Sequence, residues 1–221
     1  VQVPLTFPLG TSAATVREAP MLLIDIETEE GVTGHSYLFC YKPSGARAIA
    51  VIAAEAIELI RGQRVDPAAA AQVLARAYAL FGVTGAVRMA LSAIDVALWD
   101  AKALAAGKPL VAMLGGAPRG VRAYNSSGLG LMAPEAAADE AEKLLERGFG
   151  GVKLRLGYPT VVQDLVVTRA VRKRIPDGIA LLVDYNQALS VAEAIERGRA
   201  LQNEGVYWLE EPTQHDDLAG N

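Results

Sequence analysis

The sequence is poor in three features that would assign it to a specialised class of protein. It has one cysteine, Cys40, in 221 residues, so no disulfide can form within the chain, which argues against a disulfide-held secreted fold. Its apolar runs, such as residues 21–24, are far shorter than the roughly 20 residues that cross a bilayer, and no signal peptide is evident. It has no excess of positive charge, because 21 Lys and Arg face 25 Asp and Glu. We therefore expect a cytoplasmic protein whose partners include neither nucleic acid nor a membrane.

The composition is that of a folded protein, and the pattern changes near residue 117. Hydrophobic residues make up 52% of the chain and charged residues 21%, which excludes a disordered tail. Before residue 117, residues 21–28 and 34–39 predict two strands joined by a turn. Three Ala-rich helices are then predicted at 46–59, 67–80 and 85–106. We expect residues 1–117 to form an α+β domain.

Residues 118–221 alternate between strand and helix patterns. The predicted strands are 121–126, 152–156, 179–184 and 206–210, and the predicted helices are 133–147, 160–174 and 190–203. This alternation predicts parallel strands joined by right-handed crossovers. A doubly wound sheet and half of an eight-stranded βα barrel both fit four strands, and periodicity alone does not choose between them.

Three of these strands carry ionisable residues at or near their carboxyl ends. Lys153 and Arg155 are two apart, so they point to the same face of one strand, while Asp184 and Glu210 end the next two strands. The carboxyl ends of parallel strands meet at one edge of the sheet, so these side chains can converge. Carboxylates suit Mg²⁺. Taken singly, each residue has a structural explanation, such as a salt bridge or a turn cap, and only the joint placement favours a functional site.

Other candidate residues carry weaker evidence. Cys40 has no reactive neighbour in sequence and is predicted to be a buried thiol. His35 and His215 are far apart and have no metal-ligand spacing. The glycines at 115–116 and 148–151 fit turns better than phosphate-binding loops.

Five segments, in order along the chain, resemble one known family. They are Gly34-His-Ser-Tyr-Leu-Phe-Cys-Tyr-Lys-Pro; residues 90–102 with Lys108-Pro-Leu and Leu114-Gly-Gly; Val152-Lys-Leu-Arg-Leu-Gly-Tyr-Pro; Val183-Asp-Tyr-Asn-Gln; and Trp208-Leu-Glu-Glu-Pro-Thr. Together they resemble the enolase superfamily, and more narrowly mandelate racemase and its relatives in the mandelate racemase/muconate lactonizing enzyme family. The resemblance covers nearly the whole chain.

The resemblance implies an α/β fold, in which an α+β capping domain (1–117) precedes a TIM-type βα barrel. Residues 118–221 would supply the first half of that barrel, with about four strands. It also implies Mg²⁺-dependent removal of the α-proton of a small-molecule carboxylate, a 2-hydroxy acid or an acid sugar, through an enediolate. The implied roles are metal binding for Asp184 and Glu210, catalysis for Lys153 and Arg155, substrate binding for Ser126, Tyr41 and Asn186, and support for Glu211. Relatives are commonly homo-oligomers, so a homo-oligomer is expected.

Arg155 is a departure from the racemase pattern, which has Lys at this position. A guanidinium stays protonated and is a poor base, whereas racemisation needs a base on each face of the substrate. Lys153 could substitute if it reaches the substrate. Otherwise a single base on the opposite face would suit loss of water from a hydroxy acid. We therefore rank an acid-sugar dehydratase ahead of a mandelate-type racemase.

The length of the chain is the second departure. The third metal carboxylate and a His–Asp pair of the family belong to later barrel strands, so we expect a longer protein, with the 221-residue chain binding Mg²⁺ poorly and being inactive. A non-catalytic scaffold or binding fragment is the alternative. A nucleotide-binding domain ranks third, because the first strand–helix turn lacks a glycine fingerprint. Substrate specificity is expected from loops at 9–15 and 39–43.

Overall fold

The computed structural model describes residues 1–10 and 15–220, which separate into two compact units. The first unit is Val1–Pro4 with Glu18–Gly120, and the second is the described part of Leu5–Arg17 and Val121–Asn221. The division into domains 1–117 and 118–221 stays a prediction. No helix in the described ranges is both long enough and apolar enough to cross a bilayer.

A three-stranded sheet begins the chain, in the order β1 (Gln2–Gly10), β2 (Thr15–Glu27) and β3 (Thr33–Phe39). Strands β2 and β3 are antiparallel, with Met21 opposite Phe39, which confirms the predicted pair of strands. Strand β1 was not predicted, and it contains Pro4 and Pro8, which disfavour a strand in the middle of a sheet. An edge strand tolerates proline, and β1 is at the edge. Of the predicted specificity loop at 9–15, residues 11–14 lie outside the described residues.

Four helices follow: α1 (Pro43–Glu58), α2 (Pro67–Ala77), α3 (Gly85–Ala105) and the short α4 (Leu110–Met113), which was not predicted. Helix α3 lies against β3 at very close range. A Cβ atom on Gly34 would lie 2.0 Å from the carbonyl oxygen of Ala97, so only glycine fits there. The core of this unit includes Ile49, Leu74 and the predicted buried thiol of Cys40.

The second unit contains a parallel sheet in the order β4 (Gly151–Arg155), β5 (Ala180–Asp184) and β6 (Val206–Glu210). Its helices are α5 (Pro134–Leu145), α6 (Val161–Arg174) and α7 (Val191–Leu201), so strand and helix alternate as predicted. Every residue of β4 is buried, as expected for a parallel strand covered on both faces. The chain is therefore α/β, with a cap-like α+β part followed by part of a βα fold.

The strand predicted at 121–126 is absent from the structure, which has one isolated bridge in that range, between Asn125 and Val152. The side chain of Asn125 explains why pairing stops there. Its amide donates to the carbonyl of Leu144, and its Oδ1 accepts from the N–H of Ser127, so a local turn follows the bridge. The described sheet therefore has three strands and a bridged segment where four strands were predicted.

Candidate functional site

The ends of the three parallel strands bring four of the predicted site residues to one edge of the sheet. Arg155 pairs in register with Asp184, and Asp184 pairs in register with Glu210. Lys153 is two residues before Arg155 on β4 and faces the same side. The convergence predicted from the sequence is therefore present in the structure.

The ammonium group of Lys153 lies between two carboxylates. Its Nζ is 3.0 Å from Oδ2 of Asp184 and 2.9 Å from Oε1 of Glu210. The side chains of Lys153 and Asp184 are 10% and 3% exposed, whereas that of Glu210 is 32% exposed. Burial lowers the pKa of Lys153, but the hydrogen bonds to Glu210 and Asp184 outweigh burial and raise this pKa above its usual value. Lys153 is therefore a cation in this arrangement.

Arg155 is directed towards the chain segment that precedes α5. Its Nη1 donates to the carbonyl of Gly128 at 2.6 Å, and its Nη2 lies 3.3 Å from Oγ of Ser126. Burial lowers the pKa of Arg155, yet a guanidinium remains charged at any physiological pH. Its Nε is buried and has no hydrogen-bond partner in the described ranges. Arg155 therefore brings a second, partly unsatisfied cation to the group and places Ser126 beside it.

The backbone of Asn186 contacts the side chain of Asp184. Its N–H donates to Oδ1 of Asp184 at 2.7 Å, which holds that carboxylate in one orientation. Its own Oδ1 is buried without a hydrogen-bond partner among the described residues. Its φ of 48° lies in the left-handed region, where asparagine is one of the few tolerated residues. Asn186 therefore presents an unsatisfied acceptor next to a predicted metal ligand.

Glu211 and Tyr41 are placed differently from the other predicted residues. Glu211 is exposed, and its carboxylate accepts from Nε2 of Gln187 at 3.3 Å, whereas Lys153 contacts Asp184 and Glu210. Tyr41 belongs to the first unit, is 71% exposed and lies with its ring 4.6 Å from that of Phe39. The roles predicted for both residues stay predictions.

Several residues that shape the site were not predicted from the sequence. Gln187 links Glu211 to His215, since its Oε1 lies 3.0 Å from Nδ1 of His215. The carbonyl of Gly128 accepts from Arg155, and a backbone acceptor leaves no sequence pattern. Asp164 is buried behind the strand ends, and an acid in the first turn of a helix is so common that its position gave no indication of this.

The carboxylates of Asp184 and Glu210 provide part of the ligand set that Mg²⁺ needs. Two carboxylates from adjacent strands approach the same ammonium group, so their oxygens converge where one cation can contact both. Mg²⁺ is commonly held by one or two carboxylates together with water and substrate oxygens. In the part of the chain that the structure describes, no group of three or more His, Cys, Asp or Glu residues could hold a metal. Asp184 and Glu210 therefore fit as two ligands of an incomplete set.

Known proteins resemble the chain over its full length. An L-talarate/galactarate dehydratase from Salmonella typhimurium is 32% identical over 99% of this chain and 57% of its own length. An L-Ala-D/L-Glu epimerase from Bacillus subtilis is 29% identical over 100% of this chain and 60% of its own length. A Bradyrhizobium enolase crystallised with magnesium and mandelic acid is 32% identical, with a TM-score of 0.92 over 100% of this chain and 61% of the other. The chain thus spans about three-fifths of the length of these relatives.

The matched families cover most of the chain. Residues 1–115 match the mandelate racemase / muconate lactonizing enzyme N-terminal domain, and residues 136–221 match the enolase C-terminal domain-like family. The resemblance carried by the sequence segments is confirmed, and the TIM-type barrel fold it implied agrees with the alternating second unit. The chain belongs to the enolase superfamily, within the mandelate racemase and muconate lactonizing enzyme group.

Proposed function

We propose that the complete protein carrying this chain removes the α-proton of a small carboxylate substrate, with Asp184 and Glu210 as two ligands of Mg²⁺. The observation that supports this most strongly is the position of Lys153, whose ammonium contacts both carboxylates at the edge of the sheet. When bound there, Mg²⁺ would oppose the negative charge that builds on the substrate carboxylate as its α-proton leaves.

Lys153 and Arg155 would act as fixed cations. Both are buried on β4, where electrostatic interactions are stronger than in water. Lys153 would donate a hydrogen bond towards substrate oxygens, and Arg155 with Ser126 would bind the substrate carboxylate from the side of the 126–128 segment. The Nη2 group of Arg155 supports this role, because its contact with Ser126 uses only one of its two N–H groups.

We propose that the reaction is dehydration of an acid sugar, ahead of racemisation. Arg155 cannot accept a proton, and Lys153 is held as a cation between Asp184 and Glu210, so β4 offers no base in place of the family's second lysine. A base on the opposite face would remove the α-proton, and the β-hydroxyl would then leave with a proton as water. The resulting enol would become a 2-keto acid. The L-talarate/galactarate dehydratase among the relatives favours this substrate class, and the epimerase keeps a racemase as the second candidate.

For the 221-residue chain on its own, we propose weak Mg²⁺ binding and no turnover, because only two carboxylates of its described residues meet at Lys153. A binding or scaffold role for that chain is the alternative. We also propose that the complete protein is a homo-oligomer, which light scattering of the purified protein tests.

The decisive experiment incubates the complete protein with Mg²⁺ in D₂O and panels of aldonic, aldaric and aromatic 2-hydroxy acids. Proton NMR would follow loss of the α-proton and formation of a keto acid. The proposal predicts dehydration of at least one acid sugar, which the variant Lys153→Met no longer catalyses. Stereoinversion without dehydration of any acid would make racemase the better assignment. No exchange with any acid would favour the scaffold role.

A further inference from the structure

The carboxylate of Asp164 accepts four hydrogen bonds inside the second unit while fully buried. Its Oδ1 accepts from the N–H groups of Gly157 and Tyr158, at 3.1 and 3.0 Å. Its Oδ2 accepts from the hydroxyl of Tyr185 at 2.9 Å and from Nη1 of Arg197 at 2.5 Å. One carboxylate therefore joins the loop after β4, the residue after β5, and helix α7.

The partners of Asp164 adjoin the candidate site residues in sequence. Gly157 follows Arg155 by two positions, and Tyr185 follows Asp184 directly. The backbone continues these connections, since the N–H of Tyr185 donates to the carbonyl of Glu210. Any shift of the Asp164 carboxylate would therefore be passed to the ends of β4, β5 and β6.

Tyr158 extends the network to the acceptor that holds Arg155. Its hydroxyl donates to the carbonyl of Met132 at 2.6 Å and accepts from the N–H of the same residue at 2.8 Å. Its carbonyl accepts from Arg197. Tyr158 thus holds Met132, which lies four residues after Gly128, whose carbonyl accepts from the Arg155 guanidinium.

Helix α6 does not require Asp164 as a cap. Its N-terminus already has a reciprocal capping box formed by Thr160 and Gln163. A buried ion pair such as Asp164–Arg197 is also a poor source of stability, because desolvation of the two charges offsets their attraction. A structural role in the helix therefore leaves this buried carboxylate unexplained.

We propose that Asp164 is a positioning residue, which with Tyr185 and Arg197 sets the geometry of the strand ends that carry Lys153, Arg155 and Asp184. The inference rests on the proposed function in so far as those residues are the catalytic group. Asp164 itself contacts none of these three side chains among the interactions described, and it acts through backbone and loop contacts.

The test compares Asp164→Asn and Tyr185→Phe with Arg169→Gln in the complete protein. Arg169 is on the same helix but pairs with Glu204 at the surface, so its loss controls for removal of an ion pair. Tyr185→Phe keeps the ring and removes one hydrogen bond to Asp164, so it decides the question if Asp164→Asn does not fold. Three quantities are measured on folded protein: amide hydrogen exchange at residues 132, 157 and 158, the Mg²⁺ Kd, and kcat with KM.

We expect Tyr185→Phe and Asp164→Asn to speed exchange at these amides and to weaken Mg²⁺ binding by about tenfold. We expect kcat to fall more than KM changes, because misplaced cations stabilise the transition state less. Arg169→Gln should leave all three quantities unchanged. The proposal is overturned if the Tyr185→Phe variant has the amide exchange rates, the Mg²⁺ Kd and the kcat of the wild type. If the wild type acts on no acid, the proposed function fails, while exchange and the Mg²⁺ Kd still decide the role of Asp164.

Discussion

Lys153 on β4 reaches across the intervening strand β5 to Glu210 on β6, with 2.9 Å between Nζ and Oε1. On the way it lies 3.0 Å from Asp184, the last residue of β5. A single lysine thus neutralises carboxylates from two other strands. Removal of this lysine should therefore lower the thermal stability of the protein, and another cation bound at the two carboxylates should raise it.

The first prediction concerns Lys153→Met, which removes the ammonium group that contacts both Asp184 and Glu210. Removal of one partner from a buried charge group costs about 3 kcal/mol or more. In EDTA, we expect the variant to have a lower Tm than the wild type. On addition of Mg²⁺, we expect the Tm of the variant to rise more than that of the wild type, because the bound ion replaces the lost charge. Differential scanning calorimetry of the complete protein measures both. Equal Tm values for the two proteins in EDTA would contradict the role given to Lys153, and Arg169→Gln is the surface control.

The second prediction concerns Arg155→Lys, which places a titratable amine where the guanidinium now lies. An amine can lose its proton when neighbouring cations depress its pKa, so a second base becomes possible on this face. We expect the variant of the complete protein to gain racemisation of an acid on which the wild type performs only elimination. Chiral chromatography of recovered substrate measures the gain. If recovered substrate keeps its configuration with a folded variant, Arg155 does not determine the type of reaction.

The third prediction concerns Gly34→Ala. The added Cβ would lie 2.0 Å from the carbonyl oxygen of Ala97 and 2.7 Å from the N atom of Ala101, so α3 and β3 must separate. We expect a loss of about 3 kcal/mol in the free energy of unfolding, at the upper end for overpacked cores. Gly178→Ala is the control, because its Cβ would meet nothing within 4 Å and it is not in the left-handed region. Urea unfolding should separate the two variants, and similar midpoints would refute the close contact.

The fourth prediction concerns the pKa of His35. The hydrogen bond from its ring to Asp25, 2.8 Å long, is the main cause that raises this pKa above 6.5, and the charge of Asp100 adds to it. Because the pKa in the folded state is raised, the pair stabilises the protein below the unfolded-state pKa, and this stabilisation is lost as pH rises through the folded-state pKa. NMR titration should find a higher pKa in the wild type than in Asp25→Asn. An unchanged pKa in Asp25→Asn would show that the pair does not form in solution.

Much of the second unit could be predicted from the sequence, because burial on both faces gives parallel strands continuous apolar patterns that end in polar residues. Lys153, Arg155, Asp184 and Glu210 could be placed together for the same reason, since parallel strands share one carboxyl edge. The segment at 121–126 has a strand-like pattern, but the side chain of Asn125 bonds locally and ends the pairing. Local side-chain bonds of this kind compete with strand pairing in ways that periodicity does not reveal.

The roles of individual polar side chains were harder to predict. Glu210 and Glu211 are adjacent in sequence, yet Glu210 contacts Lys153 whereas Glu211 contacts Gln187 and has a φ of 43°. Asn186 and Gln187 also have positive φ, which their residue types did not require. The buried contacts of Asp164 depend on three elements that meet only in the folded unit. Long-range contacts and unusual backbone angles are thus the part that sequence patterns do not specify.

Calorimetric titration with Mg²⁺ of the complete protein and of its variants Asp184→Asn, Glu210→Gln and Glu211→Gln shows whether Asp184 and Glu210 bind the metal. Glu211 is a matched control, since it is the neighbouring carboxylate but contacts Gln187. If these two carboxylates are ligands, Mg²⁺ binds at least tenfold more weakly to Asp184→Asn and Glu210→Gln and with wild-type affinity to Glu211→Gln. Wild-type affinity in the first two variants, or an equal loss in all three, would contradict a magnesium site at Asp184 and Glu210.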